Sequence, residues 1–358
     1  MVLIWGLLSA SKRRMKNRIF FLPVFILLFQ QLSYSQNKPG DVSILFYNVE
    51  NLFDLIDVPQ TEDDSYTPSG ELHWTSKRLN NKLLNISKVI LGASGWNVPD
   101  IIAMCEVENR YVIEKLIHDT PLKSISYKII HKESPDHRGI DVVALYNSET
   151  FYPLEYDYYP LLSKNNEVIP TREILYLSGI LNQNDTIHFF MNHWPSRFSG
   201  LMETREQREL AASLLRSKVD LLLQRTHSPK IVIMGDFNDN PSDESISRIL
   251  RAKPMTDNVD SQELYNLSYY WQKEETGTLK YQSQWYYFDQ IMVTGWLLNA
   301  TSGYKTTEQL AAKVELPFLF ERDDKYGGLK PNRTYYGYSY NGGFSDHLPV
   351  LLRLIPAN

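Results

Sequence analysis

Cysteine is nearly missing: the 358 residues contain one, Cys105. A lone cysteine forms no internal disulfide, so the fold must be held by its core. Cys105 sits in the apolar run IIAMCEV and reads as a small buried residue rather than a working thiol. Positive charge is not in surplus either, since 37 Lys and Arg face 42 Asp and Glu for a net charge of −5. Such a balance argues against a protein that follows many phosphates along a basic stripe. No linker, low-complexity tract or 20-to-50-residue repeat divides the chain. With 43% apolar residues the sequence has material for a large core, which excludes a disordered, collagen-like or disulfide-stapled protein.

The N-terminus has its own logic. Lys12, Arg13, Arg14, Lys16 and Arg18 precede an uncharged apolar stretch from Ile19 to Phe29. That stretch is shorter than the roughly 20 residues a bilayer requires, which disfavours a membrane anchor. Small residues at alternate positions in Ser33-Tyr34-Ser35 complete the pattern of a secretory signal over residues 1–35, cleaved near Gln36, with Met15 as a second possible start. Removing it leaves a mature chain of net charge −10. The expectation is an exported protein, secreted or periplasmic, without stable membrane association, with residues 36–358 as one domain and a monomer as its state. Acidity does not exclude a nucleic-acid substrate, because bound divalent cations neutralise phosphates locally.

Short apolar runs alternate with helical spacing. Strands are predicted at 42–47, 100–105, 127–131, 141–146, 173–181, 187–192, 230–235, 288–293 and 348–354, and helices at 77–91, 111–118, 203–223 and 244–250. Nine strands with interspersed helices suggest an α/β protein in which two sheets pack together under helical covers. Residues 54–74, 257–287 and 322–344 read as long loops, a length that is usually functional or disordered. Asp63 and Asp64 in the first of them read as solvated charges.

The chemistry-capable side chains fall at strand ends: Asn48, Glu106, His193, Asp236 with Asn238, Asp289, and Asp346 with His347. If those ends converge, they build a pocket of carboxylates, amides and imidazoles, suited to hard cations and phosphate rather than to thiol chemistry. Each piece alone also has a plain reading. Asp236-Phe237-Asn238-Asp239-Asn240-Pro241 and Ser345-Asp346-His347 are good turn sequences, and Glu106 could cap a helix.

Taken in order, ILFYNVENLFD at 44–54, MCEVEN at 104–109, RGIDVVALYN at 138–147, NHWPSR at 192–197, MGDFND at 234–239, FDQIMV at 288–293 and SDHLPV at 345–350 resemble the endonuclease/exonuclease/phosphatase superfamily over nearly the whole mature chain. Independent turns have no reason to reproduce seven spaced elements. The resemblance implies a four-layered α/β sandwich, two mixed β-sheets flanked by helices, and hydrolysis of phosphodiesters with Mg²⁺ or Mn²⁺, Ca²⁺ being an option as a structural ion.

It also implies roles. Glu106 is the metal carboxylate, with Asn48 and Asp346 completing the site. Asp236 positions the water and Asn238 a phosphoryl oxygen. His347, oriented by Asp289, either takes a proton or steadies the phosphorane, while His193 is similar to a leaving-group acid, with Glu133 as its partner. Arg172, Arg197 and Arg333 are candidates for phosphate contact. An exported nuclease acting on DNA or RNA is the leading expectation. A phosphatase or phospholipase-C-type enzyme acting on inositol phosphates or sphingolipids is the alternative, and a non-catalytic binding module the third.

Overall fold

The computed structural model describes residues 40–357 apart from positions 96, 183, 184, 198 and 199, so the expected signal over 1–35 lies outside the described residues. Strand β1 (Val42–Leu52) is buried along almost its whole length. Its side chains alternate between two cores, Leu45, Tyr47 and Val49 facing one and Ile44 and Phe46 the other, which is why the strand reads as a continuous apolar run. It pairs in parallel with β2 (Ile101–Val107), followed by β3 (Tyr127–Ile130) and β4 (Asp141–Asn147).

The chain then crosses into a second sheet, β5 (Phe151–Tyr159), β6 (Ile174–Leu181), β7 (Asp185–His193), β8 (Lys230–Asp236), β9 (Ala252–Pro254), β10 (Leu264–Asn266) and β11 (Asp289–Thr294). It returns to the first sheet as β12 (Tyr304–Lys305), β13 (Ala311–Lys313) and β14 (Val350–Pro356). The first sheet has the order β12-β14-β1-β2-β4-β3, with β13 also on β14, and the second the order β5-β6-β7-β8-β11-β10-β9.

Three apolar layers separate four structural ones. Helices α1 (Ser76–Ala93) and α2 (Arg110–His118) bury Leu83, Ile86, Ile113 and Leu116 against the first sheet. Phe46, Ala103, Leu177, Phe189, Met191 and Met234 fill the space between the sheets. Helix α3 (Leu201–Arg225) lays Ala211, Leu215 and Val219 over Phe190, Ile231 and Ile233 on the far face of the second sheet. This is the four-layered sandwich, and Cys105 lies buried in its central layer. Among the described residues no helix is long and apolar enough to cross a membrane.

Three local departures from the sequence reading have physical causes. β5 was not predicted because Pro153, Glu155 and Asp157 interrupt it, and these are tolerated because β5 is an edge strand. The helix expected at 244–250 is a single wide turn, Ser245–Ile249. Asp63 is buried rather than solvated, and accepts a hydrogen bond from the Val58 amide at 3.1 Å, while Asp64 is exposed.

Since Phe189 is fully buried between the sheets, Phe189→Ala should cost about 3–5 kcal/mol in urea unfolding, whereas Tyr152→Ala, on the exposed side of β5, should stay within about 0.5 kcal/mol.

Candidate active site

The register of the strands sets the site. His193, the last residue of β7, is paired with Asp236, the last of β8, and Asp236 is paired with Asp289, the first of β11. Three chemistry-bearing side chains thus sit at one level of one sheet. On the other sheet Asn48 of β1 is paired with Cys105, one residue before Glu106.

Both of these strands bulge at that level. The β1–β2 register shifts between Asn48 and Leu52, where Glu50 and Asn51 both take φ of +53°, and the β2–β4 register shifts between Cys105 and Val107, where Glu106 has φ of +60°. Left-handed backbone at three non-glycine residues costs energy and redirects side chains that would otherwise alternate into the cores.

Asp236 Oδ2 is the point where the two sheets meet. Asn48 donates to it from Nδ2 at 3.1 Å, His347 Nε2 lies at 3.7 Å and His193 Nε2 at 3.8 Å. Its other oxygen accepts from the Asn238 amide at 3.0 Å. Separations of 3.7–3.8 Å exceed a hydrogen bond and suit groups that face a shared ligand.

His347 Nδ1 is hydrogen-bonded to Asp289 Oδ2 at 2.7 Å. The Ser345-Asp346-His347 turn is tied to β1 by Ser345 Oγ, which donates to the Asn48 carbonyl at 2.7 Å and accepts from the His347 amide at 3.1 Å. Asn238, at φ +50°, donates from Nδ2 to the Trp194 carbonyl at 3.1 Å.

Charge follows from this packing. Burial lowers the pKa of His347, but the carboxylates of Asp289 and Asp236 outweigh it and hold the imidazole protonated, well above its ordinary value. Burial raises Asp236 to about 6, with His347 pulling down and Asp289 pushing up. His193 is driven the other way, well below its ordinary value, by burial and by the charges of Arg172, Arg138 and His347. An imidazole held neutral in this way offers one N–H to a ligand.

Glu106 presents a carboxylate with divided duties. Oε2 accepts from the Asn51 amide at 3.0 Å, and Oε1 lies 3.9 Å from His193 Nε2 and 4.0 Å from Arg138, too far for a hydrogen bond to either. Asn48 Oδ1 accepts from the Glu50 amide at 3.0 Å, and Asp346 Oδ2 is held by Arg333 at 3.0 Å. The donors are hard oxygens, which fits Mg²⁺ or Mn²⁺. Among the described residues, Asp236 with Asp289 and His347, and His131 with Glu133 and Asp141, are groups compact enough to hold a cation.

Glu133 is not the partner of His193. It is exposed, 3.9 Å from His131, whose Nε2 bonds Asp141 at 2.7 Å, and His193 Nδ1 is buried without a hydrogen-bond partner. Two of the three candidate arginines are committed elsewhere. Arg172 is buried, donating to Asp136 and the Trp194 carbonyl at 2.7 Å each, so it reaches the site through its field on His193. Arg197 donates to the Asn238 carbonyl at 2.6 Å and to Asp239 and Asp243 at 2.5 Å each, which clamps the loop after β8. Arg333 remains half-exposed, although its Nε donates to Glu50 at 2.9 Å.

Three contributors were not identified from the sequence. Arg138 faces Glu106, Glu50 links Arg333 to the Thr334 amide at 2.8 Å, and Lys82 of α1, lowered by burial to about 8, lies 3.9 Å from Glu50. The place of Glu50 two residues after Asn48 in NVEN was a signal for the second, and for Lys82 the signal was its helical spacing from Leu79 and Ile86.

A family model described as endonuclease/exonuclease/phosphatase family matches residues 43–355. The chain belongs to the endonuclease/exonuclease/phosphatase family. Its members include metal-dependent nucleases and phosphatases, hydrolases of phosphoester bonds. No curated protein matches the sequence. Among solved structures the chain is similar to humanized D. rerio TDP2 (13% identity, TM-score 0.53, covering 88% of this chain and 98% of that one). It is also similar to a family protein from Bacteroides thetaiotaomicron (15%, 0.51, 88% and 94%) and to a mannosyl-6-phosphatase from Bacteroides thetaiotaomicron VPI-5482 (15%, 0.52, 88% and 99%). At such identities the likeness is one of fold.

Asp289→Asn should lower the His347 pKa, read by NMR titration of the imidazole. The charged imidazole stabilises the folded state fully below its unfolded pKa of about 6.5, and that contribution is lost as pH rises through the raised folded value. Urea midpoints followed upward from pH 6 should therefore fall less in the variant than in the wild type.

Proposed function

We propose that this protein is a divalent-metal-dependent phosphodiesterase, exported from the cell by residues 1–35 and acting on DNA or RNA. The observation that carries the reading is the convergence on Asp236 Oδ2 of Asn48, His193 and His347 from two sheets and a loop. A cation held by Glu106 with Asn48 and Asp346 would neutralise charge on the non-bridging oxygens.

The other demands fall on the chain's own side chains. Asp236, at about 6, is ionised at neutral pH yet basic enough to take a proton from an attacking water. His347, kept charged by Asp289, would offer its Nε2 proton to the leaving oxygen as Asp236 takes one from the water, so in this reading Asp236 rather than His347 is the base. Neutral His193 donates a hydrogen bond to a second oxygen. Asn238, with one Nδ2 hydrogen on the Trp194 carbonyl, retains the other for the phosphate.

A second reading, hydrolysis of a small phosphoester such as a sugar or inositol phosphate, is favoured by the burial of Arg172 and the pairing of Arg197, which leave little basic surface to follow a long polyanion. A non-catalytic binding module would have no use for a buried Asp236 set between one imidazole held charged and another held neutral.

Asp236→Ala and His347→Ala should each lower turnover by about 10² or more. Incubating purified protein with Mg²⁺, Mn²⁺ or chelator against duplex DNA, single-stranded DNA, RNA, sphingomyelin vesicles and inositol phosphates, with Asp236→Ala as blank, separates the readings. Wild-type turnover that survives either substitution or chelation rules out the mechanism.

A further inference from the structure

A cavity of about 180 Å³ opens beside the Glu106 tether, lined by Asn51, Tyr66, Leu72, Arg333, Tyr335 and Gly337 among others. It is coupled to the site at two points. The Asn51 amide holds Glu106 Oε2, and Arg333 holds Asp346 Oδ2. The cavity thus shares Asn51 and Arg333 with the groups that hold Glu106 and Asp346.

Its walls restrict what fits. The volume is well under the roughly 300–1,000 Å³ of sites for drug-sized ligands, so it holds one ring rather than a ring pair. The charge of Glu50 in the wall is consumed by Arg333, the Thr334 amide and Lys82, leaving no net anion to pair with a cationic ligand. What remains is mixed: the apolar surfaces of Leu72, Tyr66 and Tyr335, and hydrogen-bonding groups on Asn51, Tyr66 and Arg333. Tyr66 is fixed by stacking on Phe53, with ring centroids 4.2 Å apart. The turn at Gly337 has open space over it, so that side of the cavity is accessible. Apolar faces with donors and acceptors at the edge match a sugar ring, which has C–H faces and a hydroxyl rim.

We propose that this cavity is a subsite for one neutral sugar ring esterified to the phosphate, with Tyr66 as its specificity-determining wall. The assignment rests on the phosphoester-hydrolase reading above, and nucleotides and hexose phosphates are the two sources of such a ring.

Two esters with the same leaving group test it: p-nitrophenyl thymidine 5′-phosphate, which carries a sugar, and bis(p-nitrophenyl) phosphate, which does not. Tyr66→Leu, which keeps an apolar contact with Phe53, should raise KM about tenfold for the first and leave the second within about twofold, while Tyr66→Phe restores most of the KM. Equal losses on both esters, or none on either, overturn the proposal. Calorimetric binding of thymidine 5′-phosphate and of glucose 6-phosphate with Mg²⁺ present distinguishes the two sources and needs no turnover. If the wild type cleaves neither ester, the hydrolase reading fails on its own. The subsite then stands only if Tyr66→Leu abolishes the binding of one of these sugar phosphates, and falls if binding is absent or unchanged.

Discussion

One hydrogen bond, from Asn48 Nδ2 to Asp236 Oδ2, spans the gap between the two sheets, and most of the site hangs from it. The bond forms only if Asn48, where the regular pairing of β1 stops, lies at the height of the end of β8, and that height is set by the packing of Phe46, Ala103, Met191 and Met234 in the central layer. A shift of one residue in either strand would turn its site residue into the core. The apolar filling between the sheets is therefore part of the chemistry, because it fixes the register at which Asn48, His193, Asp236 and Asp289 share one level.

Given that geometry, opposed protonation states follow from neighbours rather than from special residues. The two imidazoles are both buried, yet one is charged and the other neutral. His347 has Asp289 at 2.7 Å on its far nitrogen, whereas His193 has no partner on Nδ1 and feels the cations of Arg172 and Arg138. Asp236 stands between them, made more basic by burial and by Asp289, less so by His347. These neighbours act strongly because the enclosure is a medium of low dielectric.

Much of this was legible in the sequence. Strands buried on both faces produced runs such as VSILFYNV and KIVIMGD, and polar residues at their ends could face only outward from the cores, so Asn48, His193 and Asp236 were visible as strand-end chemistry. Long-range pairing was not. Glu133 and His193 belong to separate loops and strands, and nothing local says that Glu133 turns toward His131 instead. Arginines are ambiguous for the same reason: Arg172, Arg197 and Arg333 look alike in sequence, and only their partners, Asp136, Asp239 with Asp243, and Glu50 with Asp346, tell them apart. Lys82 was the least readable: helical spacing from Leu79 and Ile86 puts it on the apolar face, but the charge of a lysine argues for solvent.

Lys82 also explains how the loop after Pro331 is held against the site. Its ammonium donates to Thr334 Oγ1 at 2.6 Å and to the Phe344 carbonyl at 2.7 Å, close to Glu50, and Glu50 accepts from Arg333, which in turn holds Asp346. Four alternating charges therefore run from helix α1 to the side chain next to His347. Burial works against the charge of Asp346, but Arg333, His347 and Lys82 outweigh it and keep its pKa low. Breaking such a chain by removing one member would leave a buried charge uncompensated, which costs about 3–5 kcal/mol, so the links constrain one another more strongly than any single pair would. Glu50 can join this chain only because the backbone at Glu50 and Asn51 is left-handed, and the same turn points the Asn51 amide at Glu106. The strain at the end of β1 thus aligns two carboxylates at once, Glu106 directly and Asp346 through Arg333.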